Sequence, residues 1–130
     1  KENAKLFISS LVKHSPIIIF SAAIPGQGGL NHINEQPLEY WRAIFKELGY
    51  YPYDMIRRKI KNDTKISPWY RHNIIIYLDQ KLPSIYLANF KKYKISDKHP
   101  IADLSSNFYK LRCKIISKLP FSLKQWLAKF

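Results

Sequence analysis

The stretch Ile17-Ile-Ile-Phe-Ser-Ala-Ala-Ile-Pro-Gly-Gln-Gly-Gly29, with Asn31-His-Ile-Asn-Glu-Gln36 one residue behind it, decides how this chain is read. The apolar run at its start reads as a buried parallel strand reaching about Ala22. The small residues and glycines that follow let a ligand approach the backbone. In open α/β sheets, ligands bind in the crevice past the carboxyl ends of strands. Gly26, Gly28 and Gly29 all fall in this loop, and His32, Asn34, Glu35 and Gln36 stand close behind. Candidate chemistry therefore concentrates between Gln27 and Gln36.

Upstream, Ala4, Phe7, Ile8, Leu11 and Val12 fall on one stripe of an amphipathic helix that runs to about Lys13 and is ended by His14-Ser15-Pro16. A helix feeding an apolar strand is the unit that builds parallel sheets. Downstream, Pro37 suits a first helical position and Glu39 the positive end of the helix dipole. Leu38, Trp41, Phe45 and Leu48 then form an inward stripe closed by Gly49. Tyr50 to Arg57 reads as a strand, and Pro52, which has no amide proton to donate, assigns it to a sheet edge. Ile74 to Leu78 is a second continuous apolar run and is expected at the centre of the sheet. Between them, Lys59 to Trp69 is polar, with turn signals at Asn62-Asp63 and Ser67-Pro68, and reads as a long connection. With no helix evident there, the two strands are expected to pair antiparallel.

Beyond Asp79 the pattern changes. Residues 80–103 have no sustained period, carry Lys91-Lys92-Tyr93-Lys94, and read as an irregular linker. Residues 104–130 read as a basic helical tail, with Leu104, Phe108, Leu111, Ile115 and Leu119 on one face and Lys110, Lys114 and Lys118 on another. Pro120 stops that helix, and Ser122 is placed to cap a last short one carrying Leu123, Trp126, Leu127 and Phe130. The chain thus divides into a main unit, 1–79, a linker, 80–103, and a tail, 104–130.

A chain of 130 residues, 46% of them hydrophobic, is large enough for one modest core and too apolar for general disorder. No apolar run approaches the roughly 20 residues needed to cross a bilayer, and no secretory leader is evident, so the cytoplasm is the expected compartment. The lone Cys113 forms no internal disulfide and has no second cysteine for a zinc knuckle. The chain begins at Lys1 and its one methionine is Met55, so a segment upstream is expected. The net charge of +13 is uneven: residues 1–80 hold 11 Lys/Arg against 7 acids, and residues 81–130 hold 11 against 2. Such a tail favours anionic partners, nucleic acid or acidic lipid head groups.

The glycine loop is not a P-loop, because Gly26-Gln27-Gly28-Gly29 is followed by neither Gly-Lys nor Ser/Thr. A dinucleotide fingerprint would need glycine where Asn31 stands. Two readings remain open: a loop that brings backbone amides near a substrate, and a purely structural turn. His32 and Glu35 are a candidate catalytic pair, proton acceptor and orienter, since a neutral imidazole suits proton transfer near neutral pH. A metal site from His32, Asn34 and Glu35 lacks a second cluster to complete it. Trp69-Tyr70-Arg71-His72 mixes aromatics with positive charge, as nucleic-acid surfaces do, but also fits packing just ahead of a core strand. Arg57-Arg58-Lys59 reads as a solvated face. The apolar stripe of the tail either packs onto the main unit, the favoured reading, or lies on an anionic membrane.

Together, Phe20-Ser-Ala-Ala-Ile-Pro-Gly-Gln-Gly-Gly29, His32-Ile-Asn-Glu-Gln36, Tyr40-Trp41, Phe45, Gly49-Tyr50, and Trp69-Tyr70 with Asn73 resemble the C-terminal half of a class I S-adenosylmethionine-dependent methyltransferase family. The likeness spans roughly Lys1 to Asp79 and leaves the tail outside it. Pro37 and His72 depart from the family pattern, which often has tryptophan and glutamine there. The resemblance implies the C-terminal part of a Rossmann-like, seven-stranded α/β sheet. The strand at Ile17 would be the fifth, that at Tyr50 the sixth at the edge, and that at Ile74 the seventh, inserted between them with an antiparallel hairpin. It further implies S-adenosylmethionine as cofactor, held by an N-terminal half of the same protein that these residues do not contain. Methyl transfer is an in-line displacement, so such a protein mainly aligns the acceptor and takes its proton. By the resemblance, the loop lines the acceptor side, with His32 as base and Gln27, Gly28, Asn34 and Gln36 holding a small-molecule or glycan acceptor. The alternative is a non-enzymatic basic α/β module that binds nucleic acid or an anionic membrane surface.

Overall fold

β3 (Ile75–Asp79) is the centre of a three-stranded sheet of order β1-β3-β2, in which it runs antiparallel to both β1 (Ile17–Phe20) and β2 (Tyr50–Tyr53). Ile17 faces Leu78 and Phe20 faces Ile75 on one side, while Tyr50 faces Asp79 and Tyr53 faces Ile76 on the other. The computed structural model describes residues 2–29 and 34–127. The expected placement of the run at Ile74 between the other two strands, antiparallel to the aromatic one, is the arrangement found.

One face of the sheet carries α1 (Glu2–Leu11) and α2 (Leu38–Glu47). Their buried residues Ala4, Ile8, Trp41 and Phe45 meet Ile18, Ile75 and Tyr77 in the main core. Phe45 stacks on Tyr77 with ring centroids 3.8 Å apart, and Phe20 packs edge-on against both Phe45 and Tyr77. Tyr50 anchors the end of α1, its hydroxyl donating to the carbonyls of Val12 and Ser15. Alternation along β3 sends Ile76 and Leu78 to the opposite face, where Tyr53, Leu87 and Phe90 cover them.

The two flanks of the sheet differ. Pro52 sits on the outer strand, as its missing amide requires. Its carbonyl accepts from the Ile95 amide, the Asp54 amide donates to Tyr93, and Tyr53 bridges Lys94, so this edge is covered by the following chain. Among the described residues no strand pairs with the other edge of β1, and Ile17 and Ile19 are 41% and 60% exposed.

Several expectations are corrected. The run at Ile17 ends as a strand at Phe20, is antiparallel to its one described neighbour, and is buried only at Ile18, because no described residue covers its second face. The aromatic strand stops at Tyr53, and the segment expected to continue it forms α3 (Ile56–Ile60). The connection read as helix-free also holds α4 (Pro68–Asn73). Arg57 causes both changes. Wholly buried, it grips the Asp54 carboxylate at 2.9 and 2.8 Å and donates to the carbonyls of His72 and Ala102, which pulls this segment inward as a helical turn. Arg57 is thus no part of a solvated face. Phe7, expected inward, is exposed.

The linker of residues 80–103 is structured. It contains α5 (Ser84–Phe90) and a 3-10 turn at Lys91–Tyr93, after which Ile95 and Ile101 pack into the main core. Arg42 holds this return by donating to the carbonyls of Ser96 and His99 and pairing with Asp97. In the tail, α6 (Asn107–Ser117) and α7 (Phe121–Leu127) are present, with Ser106 capping α6 through its hydroxyl. The face of α6 turned to the protein is not the expected stripe. Cys113 is buried there, whereas Phe108, Leu111 and Ile115 point outward.

Candidate functional site

Where β1 ends, Ser21 to Gly29 turn back across the carboxyl end of the strand, and one side chain shapes that turn. The Glu35 carboxylate accepts from the amide of Gly26 through one oxygen, at 2.9 Å, and from the amide of Gly28 through the other, at 2.8 Å. Both glycines have φ in the left-handed region, +77° and +74°, a conformation that side-chain-bearing residues rarely adopt. Two convergent amides on one carboxylate make a small anion nest whose anion belongs to the protein itself. The Gln36 amide bonds the carbonyl of Ala23, and its side chain donates to Asn34 Oδ1.

A second tie comes from the end of α4. Asn73, 2% exposed, donates from Nδ2 to the carbonyl of Ala22 and to Oε1 of the buried Gln27, at 3.0 and 2.6 Å. Ser21 Oγ approaches the carbonyl of Trp69 at 3.4 Å. These bonds draw the two distant segments 21–29 and 69–73 together. Between them lies a cleft of about 410 Å³, walled by Ser21, Ala22 and Gln27 to Gly29 on one side and by Trp69 and Tyr70 on the other. The two aromatic rings are about half exposed, so their faces are available to a ligand.

The cleft thus lies past the carboxyl end of β1, where the sequence places it. Gln27 and Gly28 line it. Glu35, Asn34 and Gln36 lie behind it as the framework of the loop, and the Glu35 oxygens are directed at Gly26 and Gly28. His32 lies outside the described residues. Among the described residues no group of three His, Cys, Asp or Glu is arranged to hold a metal ion.

The tail helix supplies residues for which the sequence offers no site role. The backbone of α6 at Cys113 rests on Gly26, and Arg112 donates to the carbonyl of Gln27 at 2.9 Å. Burial pushes the Cys113 thiol and the Tyr109 hydroxyl up, the latter to about 12. His72, 6% exposed, packs against the edge of the Tyr109 ring. Burial, reinforced by the Arg71 charge, pulls its imidazole below the usual value. The signal for a close contact was the absent side chain at Gly26, but nothing in the spacing names the Cys113 backbone as its partner.

Comparison with protein families, with curated proteins and with solved structures returns no match to this chain.

Proposed function

We propose that this chain is the acceptor-side part of an S-adenosylmethionine-dependent methyltransferase. The observation that carries this reading is the cleft between the glycine loop and the Trp69-Tyr70 pair. Its walls come from segments far apart in sequence that belong to the motifs of the resemblance, and side chains of those same motifs, Asn73 to Gln27 and Glu35 to Gly26 and Gly28, hold it in shape. The strand order β1-β3-β2, with β3 antiparallel to both neighbours, agrees with a fifth, seventh and sixth strand of a Rossmann-like seven-stranded sheet. The unpaired edge and exposed isoleucines of β1 fall where a fourth strand and its helix would dock.

The cofactor itself does not fit the described residues. The amides of Gly26 and Gly28 are engaged by Glu35, and no acid ends a second parallel strand among them to take ribose hydroxyls. On this reading S-adenosylmethionine is held by the N-terminal half that the resemblance implies, and this chain orients the acceptor. Trp69 and Tyr70 offer flat apolar walls and Gly28 admits close backbone approach; the proton of the acceptor is assigned to His32 by the resemblance alone.

The test uses the full open reading frame, incubated with S-adenosylmethionine and candidate small-molecule and glycan acceptors, and reads formation of S-adenosylhomocysteine. Turnover that falls about 10²-fold in His32→Ala supports the assignment of the base. Turnover unchanged in His32→Ala removes it from that role, and a full-length protein that fails to bind S-adenosylmethionine in calorimetric titration overturns the proposal as a whole.

A further inference from the structure

α6 is amphipathic on the side that faces away from the protein. Its inner side is spent on the glycine loop, through Cys113 and Arg112. Outward, Phe108, Leu111 and Ile115, at i, i+3 and i+7, form a ridge that is 79%, 56% and 56% exposed. Lys110, Lys114 and Lys118 follow one another at four-residue spacing along the flank of that ridge, and all three are exposed. Lys110 also lies 3.9 Å from Asp103. After the break at Pro120, α7 adds Phe121 and Trp126, 59% and 55% exposed, and Lys124.

We infer that the outer face of α6 and α7 is a docking surface for an anionic lipid bilayer. Charge complementarity selects this occupant: from residue 104 to the end of the sequence there are six Lys/Arg and no Asp or Glu, and Asp103, just ahead of them, is met by Lys110. An apolar ridge bordered by lysines is the form taken by helices that lie in the membrane interface, ring and aliphatic groups sinking about 5–10 Å while the ammonium groups stay at head-group level. A nucleic acid would satisfy the lysines and leave Leu111 and Ile115 in water. No described helix is long and apolar enough to cross a membrane, so the association is peripheral. It is independent of the methyltransferase reading.

The test is flotation of the chain with vesicles of phosphatidylcholine alone and of phosphatidylcholine mixed equally with phosphatidylglycerol. Binding is expected to the mixed vesicles only, and to weaken with salt. Lys110→Glu/Lys114→Glu/Lys118→Glu should lower affinity about 10²-fold or more, since each lysine near an anionic surface contributes about a factor of five. Leu111→Ser/Ile115→Ser, at exposed positions and with the fold checked by circular dichroism, should lower it as well. The inference is overturned by equal binding to both vesicle types, by binding that the serine variant leaves unchanged, or by tighter binding to a single-stranded RNA oligonucleotide than to the mixed vesicles. Self-association in sedimentation that the serine variant abolishes, without flotation, overturns it too.

Discussion

The α6 backbone at Cys113 lies so close to Gly26 that a methyl group on the glycine would overlap the Cys113 carbonyl oxygen, with Ser117 Cβ next in line at 3.1 Å. The tail is thereby keyed to the loop at the mouth of the cleft. Gly26→Ala adds a left-handed backbone penalty to this collision and should destabilise the chain by about 1–3 kcal/mol. It should also free α6. Limited proteolysis checks this: cleavage between residues 104 and 120 should accelerate in the variant well before the sheet unfolds.

Arg57 is the most deeply buried charge in the described structure, and its removal strands the Asp54 carboxylate as well as the carbonyls of His72 and Ala102. Breaking a buried pair from one side costs about 3–5 kcal/mol. Arg57→Ala should show a loss of that size in urea unfolding. Arg57→Lys should recover only part of it, because an ammonium group lacks the planar fork that meets both Asp54 oxygens.

Asn73 and Glu35 hold the same loop of the cleft through different partners. Asn73→Ala leaves Gln27 Oε1 and the Ala22 carbonyl without their buried donor, and Glu35→Gln replaces one of two amide acceptors by a donor. Each should cost about 1–3 kcal/mol. Amide exchange at Gly26 and Gly28 discriminates between them, since it should rise sharply in Glu35→Gln while the Asn73 variant loosens chiefly the segment 21–27.

His72 makes stability depend on pH. Its imidazole titrates below 6.5 in the folded protein, through burial first and then the Arg71 charge, so the unfolded chain binds that proton at higher pH than the folded one. Stability rises with pH wherever the unfolded state holds more protons. The contribution is therefore whole above about pH 6.5 and declines as pH falls toward the folded value. Urea midpoints measured down from neutral pH should drop across that window, and His72→Gln should flatten the slope.

Much of this arrangement was legible from residue pattern. Pro52 declared an edge, the run at Ile74 declared a centre, and the stripe of Trp41 and Phe45 declared the core face of α2. What escaped the pattern was decided by single tertiary contacts. α3 and α4 have 5 and 6 residues, too few to display a period, and exist because Arg57 gathers its acceptors. The orientation of α6 was missed because apolar spacing assumes that the largest hydrophobes turn inward. Close approach of the α6 backbone to Gly26, which carries no side chain to hold it off, sets the helix instead, so Cys113 faces in and Phe108 and Leu111 turn out. The cleft was legible by position, but not the clamp that holds its glycine loop, since Glu35 reads as readily as the orienter of a His32 base as it does as a ligand for two amides.

The unequal flanks of the sheet carry a last consequence. Strand-mediated polymerisation needs two bare edges per molecule, one to receive and one to offer. Here the segment around Tyr93 to Ile95 seals the β2 side, and among the described residues only the β1 edge is bare. Wherever these residues stand without a further strand on β1, two copies that join through it present only sealed margins to a third, so such an assembly halts as a closed pair rather than extending into a filament.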